Sequence, residues 1–172
     1  MFGGLLSVIN ELKVDCVIIC KQEEDSKNYQ EFKEIVNKKK IHVTIVTKGS
    51  RLCIDKDLYF NFLWPNNLNL IKENVLNNNS IVCKLCYKNF SMLVTGDIEE
   101  IAEKQILEEY KDNLSMLNST ILKVAHHGSK TSSSQNILDI VNPKIAVIGV
   151  GKDNNFGHPN EEILKRLEGL RM

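Results

Sequence analysis

The stretch Leu122-Lys-Val-Ala-His-His-Gly-Ser-Lys-Thr-Ser-Ser-Ser134 constrains the fold more than any other, because it joins a strand, a histidine pair and a helix start without a spacer. The run Ile121 to Ala125 reads as a buried strand that delivers His126 and His127, two of only four histidines, to its C-terminal end. Gly128 then lets the chain turn sharply, since a residue without Cβ enters the left-handed region freely. Thr131 to Ser134 supplies several N-cap candidates, with Ser132 and Gln135 at capping-box spacing, for a helix running to about Val141. Imidazoles at a strand end beside a helix N-terminus suit a metal and an anion.

The remaining pattern repeats that alternation. Apolar residues at helical spacing over 2–12 lead to an expected buried strand over Val14–Cys20, then a helix over Lys27–Lys39 with an inner stripe of Tyr29, Phe32, Ile35 and Val36. A strand follows over Ile41–Thr47. Leu52–Ile54 and Leu58–Leu63 read as an antiparallel pair around Asp55-Lys56-Asp57. Trp64, held between a strand end and Pro65, reads as a hydrophobic plug rather than a stacking platform. Asn66–Asn79 is polar and Asn-rich, the best candidate for a long loop, with Leu68, Leu70, Ile71 and Val75 offering a short helix. A hairpin over Ile81–Tyr87 and Phe90–Thr95 turns at Lys88-Asn89. An amphipathic helix over about 98–112 would carry Ile98, Ile101, Ala102, Ile106, Leu107 and Tyr110 inward, with an acidic first turn. After the helix that ends at Asn142-Pro143, Lys144–Val150 reads as another buried strand, and a last helix spans about 160–167.

At 172 residues and 42% hydrophobic content, one ordinary α/β domain over 1–172 is the expectation. Twenty-two basic and 22 acidic residues, with a pI near 6.9, give no global field for a polyanion, so any nucleic acid must be held locally. Lys123, Lys130, Lys144 and Lys152 could form a local positive rim, or be ordinary solvated lysines. Five cysteines, an odd number, with no secretory pattern, argue for a reducing compartment, and with no membrane-length apolar run the expected location is the cytoplasm. Cys83 and Cys86 form a Cys-x-x-Cys inside an alternating strand, where residues three apart face opposite sides, so packing is the better account. His42 has no acidic, cysteine or histidine neighbour in sequence and reads as surface or packing.

Three polar motifs share one topological property. Thr95-Gly96-Asp97, His126-His127-Gly128-Ser129 and Gly157-His158-Pro159 each follow the C-terminal end of a strand, directly or after a short loop. In sheets covered by helices, that edge is where ligands bind. Singly, each has a bland reading as a turn, a cap or a core imidazole. Jointly, one Asp and two or three His are the mixture that borderline divalent metals prefer, which makes Asp97, His126, His127 and His158 a candidate metal site.

These motifs also carry a family resemblance. Leu93-Val-Thr-Gly-Asp97, the 122–134 stretch, Pro143-Lys-Ile-Ala-Val-Ile-Gly-Val150 and Gly157-His-Pro159 resemble the metallo-β-lactamase-fold hydrolases of the ComEC/Rec2 type, a group that includes stand-alone hydrolases and the C-terminal domain of a DNA-uptake channel protein. Leu63-Trp-Pro65 and Asn78-Asn-Ser-Ile-Val82 look like the segment preceding Thr-Gly-Asp in that group. The resemblance implies an αββα sandwich with a two-metal site, zinc by default and manganese next, at one sheet edge. It implies that Asp97 binds or bridges the metals and that His158 is the late histidine ligand. His126 and His127 would supply a further ligand or a transition-state contact, in an order left open. The implied task is hydrolysis of a phosphodiester, nucleic acid included, by metal-activated water.

The sequence departs from the pattern at one place. The family's His-x-His-x-Asp-His motif normally stands just before a segment like Phe2-Gly-Gly-Leu5, and here Met1 occupies that junction; a strand expected after Leu170 is also missing. The resemblance therefore implies an N-terminally truncated, incomplete domain with impaired activity, since affinity and an activated water both need a nearly complete shell. The alternative function is a noncatalytic remnant or interaction module, whose exposed sheet edge would pair with another chain.

Overall fold

The computed structural model describes residues 3–170, and Val46 ends the first of two units, Met1–Val46 and Thr47–Met172. In the first, α1 (Gly3–Glu11), β1 (Cys16–Cys20), α2 (Lys27–Lys39) and β2 (His42–Val46) follow one another. β1 and β2 pair in parallel from Cys16 opposite His42 to Cys20 opposite Val46, and α2 is the crossover that parallel pairing requires. The Ser26 hydroxyl starts α2 by accepting the Tyr29 N–H at 3.2 Å. Phe32 and Val36 are buried with Leu6, Ile9, Val17 and Ile41, and Tyr29 and Ile35 pack beside them, which is the stripe expected from the sequence. The expected first helix is present apart from Phe2, which lies outside the described residues, and Leu12, which follows the helix and is exposed. The expected buried strand over Val14–Cys20 is corrected: only Cys16–Cys20 is strand and only Val17 within it is buried. A two-stranded sheet consists entirely of edges, so an apolar run in it is not enclosed. His42 is exposed.

In the second unit, six strands form one mixed sheet: β3 (Arg51–Cys53), β4 (Leu58–Trp64), β5 (Val82–Tyr87), β6 (Phe90–Val94), β7 (Ile121–Lys123) and β8 (Ile145–Val147), in that spatial order. β3 to β6 pair antiparallel and β6–β7–β8 in parallel. Between β4 and β5 lies α3 (Val75–Asn78). The parallel crossovers are α4 (Glu100–Glu109) and α5 (Gln135–Val141), and α6 (Glu161–Glu168) comes last. Leu93 and Leu122 of the sheet share a core with Ile98, Ala102, Ile106, Leu138, Val141, Ile163 and Leu167 of the helices and their approaches. Burial of each Leu or Ile there is worth about 1.5–3 kcal/mol. The result is the expected α/β class, a mixed sheet flanked by helices. No helix among the described residues is long and apolar enough to cross a membrane.

Two further expectations are corrected by the fold. Ile101 is 40% exposed, because α4 starts at Glu100 and turns Ala102, Glu103 and Ile106 inward instead. Lys144–Val150 is not a buried strand: β8 is three residues long and ends the sheet, leaving Ile145 53% and Val147 42% exposed. The plug reading of Trp64 fits its full burial, and its indole N–H donates to the Asn78 carbonyl at 2.7 Å. Cys83 lies opposite Val94 while Cys86 lies opposite Ser91, an odd step apart on β5, so the two thiols point to opposite faces. Burial pushes the Cys83 thiol up to about 11.

The Asn-rich loop is short of regular structure but not of hydrogen bonds. Asn79, fully buried, accepts the Ile71 N–H and donates to the carbonyls of Ile71 and Val75, all within 2.8–2.9 Å. Asn78, also fully buried, accepts the Glu99 N–H at 3.0 Å. Both amides replace the backbone partners that a loop folded against the core would otherwise lose.

Candidate metal centre

Parallel pairing of β6 with β7 puts the ends of both strands level, and the backbone then stitches the motifs together. The Thr95 hydroxyl donates to the Lys123 carbonyl at 2.7 Å, and the His126 N–H donates to the Gly96 carbonyl at 3.1 Å. The Asn160 N–H donates to the Gly128 carbonyl at 2.9 Å, which draws the third motif against the second. Inside the third, Asn154 acts as a local frame: its side-chain oxygen accepts the N–H groups of Phe156 and His158, and its amide donates to the carbonyls of Gly151 and His158. The three strand-end motifs are thus brought to one place.

The sharp turn uses Gly128 as expected, but not Gly128 alone. Besides Gly128 at φ 79°, both His126 at φ 46° and His127 at φ 55° lie in the left-handed region. Such backbone costs on the order of 1–3 kcal/mol per residue in a residue with a side chain, and it persists where the surroundings over-determine it.

The imidazoles have distinct environments. His127 Nδ1 lies 2.6 Å from the Gly149 carbonyl. A carbonyl oxygen only accepts, so Nδ1 carries the proton and a neutral ring has its lone pair on Nε2. That Nε2 faces Asp97 Oδ1 at 3.6 Å, with the Asp97 side chain 10% exposed and the His127 side chain 48%. His126 Nδ1 is buried, has no hydrogen-bond partner, and faces Glu99 Oε1 at 3.6 Å. The His126 and His158 rings meet edge to face with centroids 5.9 Å apart, and Phe156 stacks on His158 at the same distance. His158 titrates below the ordinary imidazole value, chiefly through desolvation and then through the charges of His126 and His127. Lys123 is held below the usual lysine range by burial, with the Asp97 charge acting in the opposite sense.

In kind, these donors fit a divalent metal. A lone pair on Nε2 and a carboxylate oxygen are two acceptors facing each other, and a cation between them removes the repulsion. Their 3.6 Å separation compares with about 3.3 Å between two ligand atoms bound at roughly 2.0 Å to a tetrahedral ion. In number, they fall short. Among the described residues, no three His, Cys, Asp or Glu side chains converge as a metal-holding group. The residues present therefore supply donor pairs and not a shell.

The anion-binding reading of the α5 N-terminus is corrected. The Glu103 carboxylate, buried on α4, accepts the N–H groups of Ser133 and Ser134, so the donors that would meet an anion are already taken from within the chain. Nor does the expected capping box form: Ser134 is the N-cap but its side chain makes no capping bond, and the Ser132 hydroxyl donates instead to the Ile98 carbonyl at 2.8 Å. Sequence reading also missed Glu99. The signal available was a second carboxylate two residues after Asp97, which an extended approach to α4 places beside the histidine loop.

No family model matches the chain. It is 32% identical over 123 residues to ComE operon protein 3 of Bacillus subtilis, covering 72% of this chain and 15% of that protein. It is 33% identical over 125 residues to competence protein ComA of Neisseria gonorrhoeae, covering 70% and 17%, and 33% identical over 110 residues to recombination protein 2 of Haemophilus influenzae, covering 64% and 13%. The chain thus spans a small part of the length of the curated relatives it matches. Among solved structures it resembles a metal-dependent hydrolase, so assigned, of Parabacteroides distasonis, with a TM-score of 0.52 and 14% identity over 94% of this chain and 75% of that one. At that identity the likeness is one of fold.

Proposed function

Because this chain belongs to the ComEC/Rec2 family, we propose that it carries part of a metal-dependent hydrolase site of the metallo-β-lactamase type, acting on phosphodiesters with nucleic acid as the substrate class. The observation that carries the reading is the His127–Asp97 pair: one ring nitrogen is fixed by Gly149, and the other is aimed at a carboxylate at a separation suited to a shared cation. His158, packed against His126, is the third candidate donor. Zinc is the ion best matched to two imidazoles and a carboxylate, and manganese the next. Tight binding needs at least three protein donors, which the described residues do not bring together, so the chain by itself holds metal weakly and hydrolyses slowly. Lys123, partly buried near Asp97, is the cation best placed to meet a substrate phosphate.

A second reading, an interaction module that keeps the fold without turnover, is favoured by β8. It is the last strand of the sheet among the described residues, with its Ile145 and Val147 side chains exposed. Its partner would be an extended strand of another chain.

Zinc titration with elemental analysis, together with bis-p-nitrophenyl phosphate turnover, separates the readings. Weak zinc binding and slow turnover, both lost in Asp97→Ala and His158→Ala, are expected. Stoichiometric zinc with robust hydrolysis would overturn the proposed impairment, and zinc binding indifferent to both substitutions would sink the site itself.

A further inference from the structure

We propose that Glu99 is the positioning carboxylate of His126, holding the Nδ1–H of that ring so that Nε2 is the nitrogen it presents to a ligand. The presented nitrogen's purpose rests on the metal-site reading above; the tautomer does not.

His126 Nδ1 is the starting point. It is buried, without a hydrogen-bond partner, and the charged atom facing it is Glu99 Oε1 at 3.6 Å. That is longer than a hydrogen bond, yet a ring displacement of well under 1 Å closes it, and polar contacts at functional sites are often long before a ligand arrives. Of the two neutral tautomers, only the one with its proton on Nδ1 is attracted by the carboxylate. The other would set a lone pair against it inside a buried space, where that repulsion is poorly screened.

Glu99 is held in place independently of the ring. The Thr131 hydroxyl donates to its Oε1 at 3.1 Å, and the side-chain amides of Asn74 and Asn78 donate to its Oε2 at 2.8 and 3.3 Å. Its own N–H donates to the fully buried Asn78 side chain at 3.0 Å. A carboxylate fixed by three donors cannot swing away when the ring moves. The histidine is equally constrained from its own side, through a left-handed backbone and the N–H bond to Gly96.

The neighbouring ring provides an independent parallel. His127 has its Nδ1 occupied by the Gly149 carbonyl, so on both histidines the same nitrogen is turned to the protein and Nε2 is left for a ligand. Metal-binding histidines are oriented in this way, by a carboxylate or a carbonyl on the second nitrogen. The arrangement also gives the Asn-rich loop a purpose: Asn74 and Asn78 bring it to bear on His126 through Glu99.

The test reads the tautomer directly, in the metal-free chain at about pH 8, where imidazoles are largely neutral. Long-range proton–nitrogen correlation of the rings, with His126→Gln to assign the signals, is expected to show His126 protonated on Nδ1. Glu99→Ala should shift the population toward Nε2–H by about threefold or more, because a charge-assisted partner is lost. If that variant fails to fold, Glu99→Gln carries the same expectation, since a neutral amide holds an N–H less strongly. Thr131→Val and Asn74→Ala, which remove partners of Glu99 without touching the ring, should leave Nδ1–H in place. An Nε2–H ring in the parent chain, or an unchanged tautomer in the Glu99 variant that folds, overturns the proposal. A chain with the expected tautomer but no affinity for zinc would instead count against the metal-site reading alone.

Discussion

The Glu103 carboxylate of α4 accepts the Ser134 N–H at 2.9 Å and, through its other oxygen, the Ser133 N–H, so α5 is capped from a different helix. Arg166 of α6 donates to the Ser133 carbonyl at 3.2 Å and closes the same junction. The loop carrying the histidine pair is thereby anchored at its far end by a single buried charge.

Glu103→Gln can satisfy only one of the two N–H groups and turns an amide donor toward the other. It should destabilise the chain by about 1–3 kcal/mol, the cost of a buried unsatisfied donor. Urea denaturation of the two proteins measures it, and a change below a few tenths would contradict the capping role.

The same residue sets a pH dependence. Burial raises the Glu103 pKa above its ordinary 4.5, and the hydrogen bonds from the Ser134 side chain and from the Ser134 and Ser133 N–H groups only partly offset this. A carboxyl whose folded pKa is raised binds its proton more tightly in the folded state. Its contribution is therefore fully present below about 4.5 and lost as pH rises through the folded value. The parent chain should therefore lose stability relative to Glu103→Gln as pH rises from about 4.5 through the folded value, read by urea denaturation at matched pH; a relative gain would refute it.

Gly128→Ala should damage the third motif. A Cβ there would lie 2.8 Å from the Pro159 Cβ and 3.1 Å from its Cα, and the residue sits at φ 79°. A loss of about 1–3 kcal/mol from strain is expected, with displacement of His158 and weaker zinc binding than the parent. Unaltered His158 ring resonances would show that the loop yields without moving the site.

Asn79→Ala leaves the Ile71 N–H and C=O without their amide partner in a fully buried place. We expect a loss of about 2–4 kcal/mol, as for two stranded polar groups. Faster hydrogen exchange at Ile71 than elsewhere in the loop would locate the effect.

At β8, Val147→Lys should change stability by no more than about 0.5 kcal/mol, because the side chain is exposed. If the interaction reading holds, sedimentation should show weaker association in the variant. Equal behaviour of both proteins across concentration would remove the support for that reading.

Much of this was legible in the sequence because it rests on local chemistry. Lys27–Lys39 carries a Ser cap, a 3.6-residue apolar stripe and lysines at its end, and it forms a helix over those bounds. The hairpin at Lys88-Asn89 follows from alternation on either side of a two-residue turn. Asp97, His126 and His158 could be grouped because each follows a strand, and parallel neighbours end on the same side of a sheet.

What the sequence left open depends on neighbours far along the chain. An apolar run such as Val14–Cys20 or Lys144–Val150 has the same pattern in a central strand and an edge strand, and only the strand order placed both at edges. Four polar residues before α5 offered local caps, but a carboxylate thirty residues upstream made both bonds, because two charge-assisted contacts outcompete a neutral hydroxyl. The two histidines were indistinguishable as letters. Tertiary packing alone put a carbonyl against one ring and Glu99 against the other, since hydrogen-bond direction at an imidazole is set by whichever atoms surround it in space.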